Sequence, residues 1–508
     1  MTQCLHLLSL PLMSQLQIYN SLSREKEIFI PLHAPHVGMY VCGPTVSGES
    51  HLGHARPYVT FDVVFRYLKF LGYKVRYVRN ITDAGHFEEE DREAVDKVDS
   101  KAKVERLEPM ELVQKYTNIY HDMMAALNCE RPSIEPTATG HIVEQISMIE
   151  EIIKKGYAYV VNGSVYFDVT RYSKEYDYGK LSGRKIEEMI AGSRELEGQG
   201  EKRNPADFAL WKKAPPEHLM RWKSPWGEGF PGWHIECSAM ATKYLGTPFD
   251  LHGGGMDLIF PHHESEIAQT KIATGSSPVK YWMHNNMITI NGQKMSKSLG
   301  NTITISQMFS GDHQLLEQAY SPMTLRFFIL QTHYRSTVNF SNEALKGAEK
   351  GYLRLMNALD TLNQLAYTEN IADFSKEEDQ KVNELCTSCT VFMNDDFNTA
   401  MVMASLFELA SRIYSYQHQQ LKISSIKKET FELIKQTFNT YVTEILGLKN
   451  EDAASDSKME GVMRLVISLR NEARTKKDFA TSDKIRDELL KAGIQLKDGK
   501  EETGWETL

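Results

Sequence analysis

Cysteine is scarce in this chain, with six in 508 residues. A disulfide framework needs a far denser set, so Cys4, Cys42, Cys129, Cys237, Cys386 and Cys389 fit a reducing compartment, and a cytoplasmic location is expected. No apolar run approaches the roughly 20 residues of a membrane-spanning helix, so no membrane partner is expected. A positive balance is missing too. The formal net charge of −9 excludes a uniformly basic sheath and leaves room only for a local basic patch. Residues 1–12 are apolar but hold no Lys or Arg, unlike the basic start of a secretory signal. Patterned sequence begins at Gln17, so residues 1–12 read as a disordered extension, with Met13 as an alternative start.

The chain is long enough for several domains. Val37-Gly-Met-Tyr-Val-Cys42 is a short apolar run ending at Gly43-Pro44, which predicts a buried strand and a turn. Val59, Val63, Val64, Tyr67, Leu68 and Leu71 recur at helical spacing. Lys74-Val-Arg-Tyr-Val-Arg79 then alternates as a strand. Strand, helix, strand is a βαβ unit, so the expected fold class is α/β with a Rossmann-type parallel sheet.

The sheet domain is expected over 13–135 and 227–285, interrupted by an inserted connective domain at 136–226. Inside the insert, a helix is predicted near 142–155 and strand pieces over 158–169. Phe249-Asp-Leu-His-Gly-Gly-Gly255 resumes the sheet, and Pro261 opens a helix. Residues 88–111 are charged and read as a solvated loop or exposed helix. A segment at 286–340 follows. A helical bundle is expected over 341–450, with apolar stripes at 344–365, 378–393 and 399–417. The last domain, 451–508, completes an all-α C-terminal half. Its stretch 461–500 carries ten Lys or Arg against six Asp or Glu, with a helix pair broken near Asp478.

His51-Leu-Gly-His54 follows the first strand and opens a helix. A helix N-terminus offers free N–H groups and partial positive charge, where phosphate binds. The two imidazoles can donate to phosphate oxygens, and Gly53 lets a nucleotide approach the backbone; the alternative is two surface histidines. Lys294-Met-Ser-Lys-Ser298 lies between Gly292 and Gly300. Two lysines on such a loop can close over a triphosphate and offset charge building during displacement; the alternative is a solvated basic loop. His262 and Glu266, at i and i+4, share one helix face. With Cys42 and Cys237 they make a thiolate, imidazole and carboxylate set suited to a metal. Spacing alone leaves ordinary burial open for all four. Cys386-Thr-Ser-Cys389 lies within a helical stripe and reads as core packing. Trp233, one turn before Cys237, is either a pocket wall or a core indole.

Gly38-Met-Tyr-Val-Cys-Gly-Pro-Thr45, His51-Leu-Gly-His54, Pro231-Gly-Trp-His-Ile-Glu-Cys-Ser-Ala-Met240, Leu251-His-Gly-Gly-Gly255, Phe260-Pro-His-His-Glu264, Tyr281-Trp-Met-His284 and Lys294-Met-Ser-Lys-Ser-Leu-Gly-Asn301 together resemble the cysteinyl-tRNA synthetases, which are class I aminoacyl-tRNA synthetases. The resemblance runs from about Gln17 to the C-terminus. It implies one Zn²⁺ per chain, held by Cys42, Cys237, His262 and Glu266. It implies a cysteine pocket near Thr45 and Trp233, and ATP with Mg²⁺ contacted by His51, Gly53, His54, Lys294 and Lys297. The implied catalytic residues are His51, His54, Lys294 and Lys297. The implied partners are L-cysteine, ATP and tRNA(Cys), the last read by the C-terminal helical domains, and a monomer is expected. The chain departs from the family pattern at Ser47 and in the acidic stretch after Ile81-Thr-Asp83. Two alternatives share the catalytic half: a ligase joining cysteine to a glucosaminyl-inositol in mycothiol synthesis, and a non-catalytic tRNA-binding paralogue. The roughly 200 residues after the lysine motif favour the synthetase over the first.

Overall fold

In a computed structural model of the protein, the described residues are 15–84, 97–185, 201–296, 299–476, 478–491, 494–498 and 503–507. The expected extension at 1–12, most of the acidic stretch after Asp83, and Lys297 lie outside them. The chain divides into two compact units, Met1–Leu448 and Lys449–Leu508.

The first unit is built on four parallel strands: β1 (His36–Val41), β2 (Lys74–Arg79), β3 (Phe249–Gly255) and β4 (Val279–Asn285), ordered β4-β3-β1-β2. Every residue of β3 is buried, and so are the last three of β1. Strands covered on both faces read as apolar runs rather than alternations, which is why β1 stood out in the sequence. Three helices complete the core: α1 (Leu52–Phe70) after β1, α2 (Trp233–Leu245) before β3, and α3 (Glu264–Thr274) between β3 and β4. From β1 the chain moves outward to β2, and from β3 it moves the other way to β4. The sheet therefore reverses direction between β1 and β3, and ligands of such sheets bind in the crevice outside the strand ends at that switch point. Glycine is required there. A Cβ on Gly253 would stand 2.3 Å from the Phe61 ring of α1.

The insert carries a five-stranded antiparallel sheet, in the order Ala158–Val161, Ser164–Phe167, Phe208–Lys213, Gly227–Pro231, Trp222–Ser224. Its core, around Ile149, Ile152, Phe167, Leu210 and Trp211, continues onto Ile235 and Ile272 of α2 and α3. Gly227–Pro231 pairs with Phe208–Lys213, so the insert's sheet runs past the expected limit at 226. The reason is that this strand completes the insert's sheet before the chain turns into α2.

Beyond β4, Ile288–Ile290 pairs in parallel with Val338–Phe340 and antiparallel with Gln293–Lys294. The bundle helices are Asn342–Gln364, Lys376–Asn394, Thr399–Gln417 and Lys428–Asn439. Cys386 and Cys389 are buried in the bundle core. Arg326, fully buried, ties the bundle to the sheet domain. It donates to the Asp62 carboxylate of α1, to Leu127 O at 2.8 Å and to Leu446 O at 2.7 Å. Pairing this complete offsets the cost of burying the Arg326 charge.

The second unit contains helices Asp452–Thr475 and Phe479–Lys491, the latter capped by Asp478 accepting from Thr481 N at 3.1 Å. It ends in an antiparallel pair, Ile494–Asp498 with Thr503–Thr507, that sets Leu496 opposite Trp505. This hairpin corrects the all-α expectation for 451–508. Two short strands with polar residues between them carry too few apolar positions to show a period of two.

Candidate active site and metal centre

Four donors converge at the switch point. Cys42 follows β1 directly, Cys237 lies in the second turn of α2, and His262 and Glu266 sit at the start of α3. Their ligand atoms all lie within 4.8 Å of one another. Cys42 Sγ is 3.9 Å from Cys237 Sγ and 3.8 Å from Glu266 Oε1. His262 Nε2 is 3.4 Å from Cys237 Sγ and 3.2 Å from Glu266 Oε1. Metal bonds of about 2.0 Å to nitrogen or oxygen and 2.3 Å to sulfur, at tetrahedral angles, give edges of roughly 3.3–3.8 Å. The four separations given, 3.2–3.9 Å, lie close to those edges, and all four donors are buried.

A second set, Cys42, His252, His263 and Glu266, also lies within 4.8 Å. There, however, His252 Nε2 stands 2.9 Å from Glu266 Oε2, a hydrogen-bond length. His252 therefore holds the carboxylate by its second oxygen, and His263 Nε2 lies 3.2 Å from Cys42 Sγ. Other histidines extend the shell. His234 Nδ1 lies 3.0 Å from His262 Nδ1, and His263 Nδ1 lies 2.8 Å from His284 Nε2. His284 in turn meets Ser21 Oγ at 2.8 Å. On the other side, Asn80 Oδ1 accepts from Gly43 N at 2.9 Å and lies 3.8 Å from Cys237 Sγ.

Burial governs protonation here. It pushes the Cys42 thiol up to about 11; Cys237 pulls that back, while the Glu266 charge adds to it. Cys237 is pushed well up, by burial first and then by its contact with Cys42. Burial holds His234 and His284 down at about 3. The cluster thus favours neutral groups on its own. A cation there favours thiolates and neutral imidazoles, which are the ligand forms of both side chains. Trp233 lies with its ring 4.4 Å from that of His262, and Thr45 bridges to Thr82 beside the turn after β1.

The histidine motif sits on the N-terminus of α1. His51 is the N-cap, and its Nδ1 accepts from Gly53 N at 3.1 Å. His54 Nδ1 accepts from His51 N at 3.2 Å. The two rings stack at 3.8 Å. Since both Nδ1 atoms accept, each neutral ring carries its proton on Nε2, a tautomer assigned from the hydrogen bonding. Each imidazole is thereby a fixed N–H donor beside the positive end of a 19-residue helix. A Cβ on Gly53 would meet Met295 Cε at 2.9 Å and the His51 ring at 3.0 Å. The two motifs, distant in sequence, are therefore in contact. Lys294 is exposed on the strand Gln293–Lys294. Asn301 clasps the loop, accepting from Ser296 N at 2.8 Å and donating to Lys294 O at 3.1 Å. Past it, Leu52 N donates to Ile303 O at 3.0 Å and Ile305 N to Ser50 O at 3.0 Å.

The family of class I (C) tRNA synthetase catalytic domains matches residues 28–350, and the DALR domain matches 391–450. The chain is 58% identical to the cysteine–tRNA ligase of Bacteroides fragilis over 496 residues, covering 97% of this chain and 99% of that one. It is 46% identical to that of Chlorobaculum tepidum, covering 97% and 99%. The chain belongs to the cysteine–tRNA ligase family. It is a class I aminoacyl-tRNA synthetase. Its fold resembles the Mycobacterium tuberculosis methionyl-tRNA synthetase in complex with methionyl-adenylate (TM-score 0.55, 14% identity, 81% of this chain and 89% of that one). It also resembles an Agrobacterium radiobacter LeuRS–tRNA–LeuAMS ternary complex (TM-score 0.54, 12% identity, 82% and 85%). End-to-end coverage of cysteine–tRNA ligases sets aside the amino-sugar ligase alternative.

Within this family framework, motif reading missed the outer histidines. His252, His263 and His284 lie in segments that carried the resemblance, but single histidines on strands have no spacing that signals a cluster. Asn301 closed the lysine motif without a role of its own, and Asn80 had no signal. Among the described residues no helix is long and apolar enough to cross a membrane.

Proposed function

We propose that the chain joins L-cysteine to tRNA(Cys) in two steps, ATP-dependent formation of cysteinyl-adenylate and then transfer to the terminal ribose of the tRNA, with Cys42, Cys237, His262 and Glu266 holding Zn²⁺. The observation that carries this reading is the buried quartet of two thiols, an imidazole and a carboxylate, all within 4.8 Å of one another at the switch point. When bound, the ion supplies a soft, positively charged partner for the substrate's sulfur. Cysteine and serine differ by one atom, and an apolar pocket separates such pairs by only ~1–3 kcal/mol. Thiolate is the far better ligand for a borderline-soft cation. Trp233 and Thr45 would line the pocket around the amino acid.

In the first step a cysteine carboxylate oxygen attacks the α-phosphorus of ATP-Mg²⁺. The bond from that phosphorus to the bridging oxygen breaks, and pyrophosphate leaves. His51 and His54 donate through Nε2–H to phosphate oxygens, aided by the α1 N-terminus and the open approach at Gly53. Lys294 and Lys297, from the loop beside them, offset charge on the departing phosphates. In the second step a terminal ribose hydroxyl of tRNA attacks the activated carbonyl, loses its proton, and AMP leaves. The bundle and the second unit supply the surface for tRNA, and a monomer suffices for both steps.

The test is amino-acid-dependent exchange of pyrophosphate into ATP, run with cysteine and with serine on metal-replete and metal-depleted chain. Cysteine should drive exchange in the replete chain alone, and serine in neither. Equal exchange with and without metal would overturn the zinc reading, and no exchange with cysteine under any condition would overturn the activity.

A further inference from the structure

One turn, His333-Tyr-Arg-Ser336, touches both nucleotide-motif segments through its backbone. Arg56, two residues after His54 on α1, is almost fully buried. Its NH2 donates to His333 O at 3.2 Å, to Tyr334 O at 3.1 Å and to Ser336 O. No carboxylate among the described residues pairs with this guanidinium. Carbonyl dipoles of the turn therefore hold its charge, and moving the turn moves Arg56 and the start of α1 with it. The same turn grips the chain leading to Lys294. Asn286 N donates to Tyr334 O at 2.8 Å and Asn286 Nδ2 to Arg335 O at 3.0 Å. Immediately after the turn, Val338–Phe340 pairs with Ile288–Ile290, whose other neighbour is Gln293–Lys294.

The side chains of the turn point elsewhere, to Asp396 in the bundle. Tyr334 OH donates to Asp396 Oδ1 at 2.6 Å and Arg335 Nε to Oδ2 at 2.7 Å, while His333 Nε2 lies 3.6 Å away. Tyr19 N, from the short strand Gln17–Asn20, also donates to Oδ1, at 2.8 Å. Asp396 is fully buried, and it and Phe397 take left-handed φ angles of 62° and 53°. Two successive non-glycine residues in that region persist only where their surroundings over-determine them. The Phe397 ring meets Tyr67 of α1 edge-on at 6.0 Å.

We infer that Asp396 is a positioning residue for adenylate formation, acting through the His333–Ser336 turn to set the signature helix and the Lys294 strand relative to each other. This rests on the reading of His51, His54 and Lys294 as ATP contacts. No bond joins Asp396 to the metal donors; Tyr19 leads from it toward Ser21 and His284, while the turn leads straight to both nucleotide segments, so the larger effect falls on the nucleotide. Asp396 also links the bundle to the chemistry, because the loop holding it joins two bundle helices.

Two variants of the full-length chain test this. Asp396→Asn keeps an acceptor for Tyr19 N and Tyr334 OH but removes the charge facing Arg335. Arg335→Met removes the same ion pair from the more exposed side, where folding is less at risk. In cysteine-dependent pyrophosphate exchange, normalised to active sites, each should lower kcat by about ten- to a hundredfold, the scale of a small misplacement of reacting groups. Each should also raise KM for ATP more than KM for cysteine and leave metal content unchanged. A loss confined to the fraction of active sites, equal shifts in both KM values, or values within twofold of the parent in both variants would overturn the inference. His54→Ala serves as the reference. If it leaves kcat and KM for ATP unaltered, the ATP reading itself fails, whereas a loss there with unaltered Asp396 and Arg335 variants overturns the coupling alone.

Discussion

Cys237 differs from the other buried thiols in what surrounds it. Cys386 and Cys389 sit among bundle side chains, whereas Cys237 Sγ faces a second thiol, an imidazole and an amide oxygen. Cys237→Ser exchanges a soft donor for a hard one at nearly constant volume. Bound zinc per chain should fall, and KM for cysteine should rise by at least about tenfold, about 1.4 kcal/mol, with KM for ATP little changed. Metal analysis and steady-state kinetics check this, and unchanged zinc together with unchanged cysteine affinity would remove Cys237 from the site. His234 makes a separate prediction. Burial holds it at about 3 in the folded chain, against an ordinary value of 6.5, so the folded chain binds fewer protons below 6.5. Its contribution to stability is complete above about 6.5 and is lost as pH falls from there toward about 3. In metal-free protein, His234→Gln should flatten the decline of Tm between pH 7 and pH 5. An identical slope in both proteins would show that other groups cause the decline.

Helix α1 is where the sequence pattern and the nucleotide chemistry meet. Its apolar residues from Val59 to Leu68 were plain, because the helix is buried on nearly every side, against the sheet and against Pro322–Leu330. Its N-terminal cap was not, since histidine is an uncommon cap and the reciprocal bonds between His51 and His54 appear only in three dimensions. The contact of Gly53 with Met295 was equally hidden. Gly53→Ala should therefore impair ATP use, because the new methyl group meets Met295 and the His51 ring, and overpacking costs about 1–3 kcal/mol. Met295 is unbranched and ends in a flexible methyl, so Gly53→Ala combined with Met295→Ala should recover part of KM for ATP. A double-mutant cycle gives the coupling. Strict additivity would mean that the two motifs do not touch in the working enzyme.

The whole molecule separates into a unit that contains every proposed chemical group and a second, smaller one that contains none. The metal donors, the histidine motif, Lys294 and Asp396 all precede Leu448, while the local basic excess lies in 461–500. Ending the chain at Leu448 should leave cysteine-dependent pyrophosphate exchange largely intact and severely reduce tRNA charging. Full-length affinity for tRNA should fall with salt more steeply than that of the shortened chain, because each phosphate contact releases counterions. Equal charging by both chains at matched salt would show that the second unit does not engage tRNA.

Local chemistry was readable one residue at a time. Val37 to Cys42 announced a covered strand, Pro261 to Glu266 placed an imidazole and a carboxylate on one face, and the lysine loop stood out between glycines. Those are features of short stretches, whose conformation follows from near neighbours. The terminal hairpin around Trp505 was illegible because its strands are short and its partners polar. The histidine shell of His252, His263 and His284 was illegible for a different reason: its members come from β3, the turn before α3 and β4, and only the pairing of β3 with β4 and the packing of that turn on them bring the three together. Asp396 shows the same limit most clearly. Nothing in the residues around it distinguishes it from any other loop aspartate, and its role depends on Tyr19, Tyr334 and Arg335, drawn from two distant segments. Periodicity and residue type act along the chain, whereas such a meeting is settled by how whole elements pack.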